Sequence, residues 1–66
     1  MRIVLNGDTH ETDRAADIAG LIAELALPAP ALLVEHNGLA LRREEWPQRP
    51  LADGDRVEIV RIVAGG

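Results

Sequence analysis

Sixty-six residues make one domain, and a fold of that size hides only about 60% of the surface its unfolded chain exposes, which excludes a deep active-site cleft. The 47% hydrophobic content supports a core, and that core must be aliphatic because Trp46 is the only aromatic residue. A formal net charge of -4 and the lack of stacking rings argue against nucleic acid and anionic membranes and favour a partner with a basic surface. No apolar run approaches transmembrane length and no signal-peptide pattern is present, so a cytoplasmic protein is expected.

Arg2-Ile3-Val4-Leu5 reads as a first strand with Ile3 and Leu5 on one face. Asn6-Gly7-Asp8 follows as a hairpin turn, and Thr9-His10-Glu11-Thr12 as a polar edge strand. Asp17 is placed to cap a helix beginning at Ile18, whose apolar residues Ile18, Leu21, Ile22 and Leu25 share one face and mark its core side. The run Leu27-Pro28-Ala29-Pro30 is expected to end that helix. A third strand runs from Leu32 to Asn37 and a short fourth from Leu39 to Leu41, joined by Asn37-Gly38. Arg42 to Trp46 then reads as one helical turn stopped by Pro47, with the Trp46 ring closing one end of the core.

Asp53-Gly54-Asp55 is a turn leading into the last strand, expected over residues 56–63. Val57 and Ile59 alternate with Arg56 and Glu58, but Val60, Ile62 and Val63 break the alternation. Burial on both faces, a bulge or exposure to a partner would each explain that break; so small a domain cannot cover both faces of its sheet, which favours exposure. Val60 and Ile62 are the candidate partner-facing residues. Asp53, Asp55 and Glu58 read first as solvated charge and second as contacts for a basic partner. The order of elements gives an α+β domain: a mixed sheet of four to five strands with one helix on one face.

The chain contains no Cys, Ser, Lys or Tyr. Among ordinary covalent nucleophiles only Thr9, Thr12, the carboxylates and two histidines are left, and His10 and His36 form no recognisable ligand pair. No catalytic residue, no metal site and no enzymatic activity of its own are expected. If the protein carries sulfur or an acyl group, the one position left for it is the carboxylate of Gly66. Ala64, Gly65 and Gly66 would form a flexible tail, residues 64–66, slim enough to enter a narrow channel.

These residues together resemble the ThiS family, the sulfur carrier proteins of thiamine biosynthesis, which are ubiquitin-like β-grasp domains. The resemblance runs the whole length, residues 1–66. It includes Ile3-Val4-Leu5-Asn6-Gly7, Asp17-Ile18 with Leu21-Ile22, Val34 to Gly38, Arg43-Glu44-Glu45-Trp46, Asp53-Gly54-Asp55-Arg56-Val57-Glu58-Ile59 and Gly65-Gly66. Arg42 stands where the family usually has proline, and His36 where it commonly has an aliphatic residue. The resemblance implies that an adenylating enzyme of the ThiF type, using its own ATP and magnesium, activates Gly66. Sulfur from a cysteine desulfurase then gives a thiocarboxylate, which serves a thiazole synthase of the ThiG type. No cofactor would be bound by this chain. Two other readings stay open: a carrier like the small subunit of molybdopterin synthase, and a ubiquitin-like modifier or plain binding module.

Overall fold

The structure is a computed structural model and describes residues 1–62. Strands β1 (Arg2–Leu5) and β2 (Asp8–Glu11) form an antiparallel hairpin. Its turn places Asn6 at φ 50 and Gly7 at φ 85, the two positive values that match the twist of the flanking strands. Helix α1 (Ile18–Glu24) crosses to a second hairpin, β3 (Leu32–His36) with β4 (Leu39–Leu41), and β5 (Arg56–Arg61) follows as the last strand in sequence. The spatial order is β2-β1-β5-β3-β4, with β1 and β5 parallel and every other pair antiparallel. The last strand therefore lies in the middle, between the first and third, in the five-stranded mixed sheet of a β-grasp domain.

Burial follows the alternation. Ile3, Val34, Val57 and Ile59 point to the helix side and pack with Ile18, Leu21 and Ile22, and Trp46 is buried in the same cluster. Asp17 caps α1 from an extended conformation, its Oδ1 accepting the Gly20 N–H at 2.7 Å. Among the described residues no helix is long and apolar enough to cross a membrane.

Two expected boundaries move. The helix stops before Leu27-Pro28-Ala29-Pro30, because Ala26 turns left-handed at φ 56. Its N–H bonds the Ala23 carbonyl at 3.1 Å and the Leu27 N–H reaches the Ile22 carbonyl at 3.4 Å. These bonds satisfy carbonyls that would otherwise be left open, at a conformational cost of about 1 kcal/mol for an alanine. Pro47 does not stop the turn at Trp46 either. A 3₁₀ helix, Arg43–Gln48, runs through it, since a short helix tolerates one missing donor and proline's fixed φ suits it. The last strand is assigned as far as Arg61, and Val63 lies outside the described residues.

Candidate functional site

The chemistry expected of this chain belongs to the residues after β5, so the site begins with how β5 is held. At its start, Asp55 gathers three groups. Its Oδ2 accepts from Ala52 N–H at 2.9 Å and from His36 Nε2 at 2.7 Å. Its Oδ1 accepts from Asn37 Nδ2 at 3.2 Å, and the His36 ring nitrogen opposite, Nδ1, lies 3.3 Å from Arg49 Nη2. A guanidinium only donates, so Nδ1 accepts and the ring proton sits on Nε2, facing Asp55. Burial pushes the Asp55 carboxyl up, but the donors from His36, Ala52 and Asn37 outweigh it and hold the group below the usual carboxylate range.

His36, in a position where an aliphatic residue would simply pack, is only 5% exposed and is a polar pin of the core. Asp53 is structural as well: its Oδ1 accepts the Arg2 N–H at 2.8 Å. Neither aspartate is merely solvated charge. Sequence reasoning missed this because the partners lie up to 51 residues away. His10 sits 3.4 Å from Glu24, and the Thr12 hydroxyl donates to the same carboxylate at 2.8 Å. Among the described residues no three His or acidic side chains are grouped to hold a metal ion.

The other end of β5 is different. Val60 is 57% exposed and Ile62 46%, on the sheet face away from the helix. Val60 lies directly across from Leu33, itself 56% exposed, so the three form one apolar patch. Leu33 was legible in the sequence: its neighbours Leu32 and Val34 take the core side, and alternation puts Leu33 outside. Beside the patch Glu58 faces Glu35, and among the described residues neither carboxylate has an ion-pair partner within 4.0 Å. Ala64, Gly65 and Gly66 lie outside the described residues.

With this geometry in place, comparison with known proteins decides the family. The ThiS family profile matches residues 3–66. This chain belongs to the ThiS family. A crystal structure of the thiamine biosynthesis protein ThiS from Geobacter metallireducens superposes with a TM-score of 0.85 at 32% identity, over 100% of both chains. Two curated relatives, the thiazole synthases of Paramagnetospirillum magneticum and Magnetococcus marinus, are each 29% identical over all 66 residues. The ThiS-family chain spans only 20% of the length of either.

Proposed function

We propose that this ThiS-family chain is the sulfur carrier for thiazole formation in thiamine biosynthesis, a single β-grasp domain over residues 1–66 with tail 64–66, working in the cytoplasm and catalysing no step itself. The observation that carries this reading is the family match, which continues through Gly65 and Gly66. A carboxylate is a poor electrophile, so the Gly66 oxygen first attacks the α-phosphorus of ATP in a ThiF-type adenylating enzyme. Pyrophosphate leaves and an acyl-adenylate forms. ATP and magnesium belong to that enzyme. Sulfur mobilised by a cysteine desulfurase as a persulfide, and released as sulfide by a thiol that is itself oxidised to a disulfide, then displaces AMP and leaves a thiocarboxylate on Gly66.

The thiocarboxylate is the donor to a ThiG-type thiazole synthase. Alignment of the whole chain with a fifth of each of two thiazole synthases supports that acceptor. The chain's own sequence supports the tail as carrier, because it has no cysteine to hold sulfur and no lysine to receive a conjugate. In this reading Ala64 and Gly65 are the neck that enters the partners' active sites. Val60 and Ile62, with Leu33 beside them, are the apolar surface that the partners cover, and Glu35 and Glu58 meet basic groups at its margin.

Intact mass measured on protein from its own cells, with fragmentation, tests the reading. A fraction heavier by one oxygen-to-sulfur exchange, located at Gly66, is the expected result. If the chain stays a free acid even after incubation with the adenylating enzyme, ATP and a sulfur source, the carrier reading is wrong.

A further inference from the structure

The two long sides of β5 are not paired to the same point. On the β3 side the antiparallel ladder runs from His36 opposite Val57 to Leu32 opposite Arg61, and the Ile62 N–H still reaches the Ala31 carbonyl at 2.7 Å. On the β1 side pairing stops at Leu5 opposite Val57, where the Asn6 N–H bonds the Val57 carbonyl at 2.9 Å and the chain turns away. Two residues further along, at Ile59, the Asn6 side chain stands in for a strand. Its Oδ1 accepts the Ile59 N–H at 2.8 Å and its Nδ2 donates to the Ile59 carbonyl at 3.2 Å. A side-chain amide thus makes both bonds that a neighbouring peptide group would make.

The next position on that side is Arg61. Backbone direction alternates along a strand, and Ile62 points to β3, so the Arg61 N–H and C=O point past Asn6. Arg61 and Leu32 are a non-hydrogen-bonded pair of the ladder, so no bond to β3 uses them. Among the described residues that position is open, and it adjoins a groove of 260 Å³ whose walls include Leu5, Leu25, Leu27, Leu32 and Ile59, with Arg61 on its margin. A backbone edge beside an apolar slot is the arrangement that binds an extended peptide: main-chain bonds hold it and alternate side chains fill the slot.

We propose that the β1-side edge of β5 at Arg61 accepts an extended segment of the ThiF-type adenylating enzyme as it receives the tail, one carrying an apolar residue for the groove and an acidic residue for Arg61. This deepens the proposed function and rests on it, because β5 leads in sequence straight into residues 63–66. A strand added there would hold the tail extended as it enters the partner. A second copy of this chain is a poor occupant. Antiparallel self-pairing about Arg61 would set one guanidinium directly opposite its twin between two chains of net charge -4.

The test uses the full 66-residue chain, made by chemical synthesis with the Arg61 amide N-methylated, and the ThiF-type adenylating enzyme. The added methyl removes the donor and blocks the edge, while the Val60 carbonyl keeps its bond to β3. The expected result is an unchanged melting temperature with the KM for the chain in ATP–pyrophosphate exchange raised about five- to tenfold, the worth of one such hydrogen bond. Arg61→Glu should raise KM further. An unchanged KM overturns the proposal and leaves the carrier reading standing. A melting temperature lowered equally by replacing the Arg61 amide with an ester, which removes the donor without adding bulk, overturns it too, because the N–H would then be bonded within the fold. If the unmodified chain sediments as a dimer and the methylated one as a monomer, the occupant is a second copy and the proposal fails. No exchange with the unmodified chain removes the carrier reading itself, and this proposal with it.

Discussion

The two ends of β5 are built on opposite principles. At the start, hydrogen bonds from Ala52, His36 and Asn37 converge on Asp55, the Gly54 N–H bonds the Arg2 carbonyl at 2.7 Å, and the Asn37 side chain accepts the Arg56 N–H at 2.8 Å. At the far end, from Val60 to Ile62, side chains face solvent and the strand keeps a neighbour on one side only. The strand is anchored where it enters and left accessible where it leaves. The proposed function would use that division: a fixed body gives partners a constant handle, and an accessible strand end lets more than one partner approach the residues that follow.

Substitutions that strike one end and spare the other sharpen the contrast. The largest effect on stability should come from Asp55→Ala, which strips the acceptor from a buried His36 N–H and from Ala52 and Asn37. Chemical denaturation should show a loss of about 3 kcal/mol. The same carboxylate gives the anchored end an acid limit. Its folded pKa is held below its ordinary value, so its stabilisation is fully present above the ordinary carboxylate range and fades as pH falls through the lowered value. The wild-type midpoint should therefore drop in acid more steeply than that of Asp55→Asn, and parallel curves for the two proteins would remove Asp55 from the anchor.

Asn6 lies between the two ends and should give an intermediate effect. Asn6→Ala loses both bonds to Ile59 and leaves at φ 50 a residue that tolerates the left-handed region less well than asparagine, for a cost of about 2 kcal/mol. Asn6→Gly relieves the backbone and should cost about 1 kcal/mol less; equal losses would mean that the turn conformation carries no strain. The smallest effect belongs to the open end. Val60→Ser and Ile62→Ser should change stability by no more than about 0.5 kcal/mol, because both side chains already face solvent. Both should nonetheless weaken binding to the adenylating enzyme in a calorimetric titration. Full-strength binding by the double variant would take the apolar patch out of the interface.

Much of this could be read along the chain. The Asn6-Gly7 and Asn37-Gly38 turns, the Asp17 cap and the apolar stripe of α1 depend on neighbours within a few residues, and each stands where local chemistry puts it. The exposure of Val60 and Ile62 follows from a broken alternation in a domain with one helix to cover one face. What could not be read were roles set by distant partners. Asp53 and Asp55 look like turn charge until Arg2 and His36 are brought beside them, and His36 looks like an isolated ring until Arg49 and Asp55 enclose it. The stop of α1 at Ala26 was hidden for another reason. An alanine in the left-handed region gives no compositional signal, and only the paired bonds to Ala23 and Ile22 reveal it.

By itself the sequence determined the elements, their core faces and the absence of any side chain able to carry sulfur, because these depend on composition and on contacts a few residues apart. Tertiary structure decided that the last strand would be central, that two aspartates and a histidine would pin its start, and that its β1-side edge would fall open after Asn6. Those outcomes depend on where β1 ends relative to β5, a register between residues more than 50 positions apart. That register is set by packing of the whole core, which no local pattern encodes.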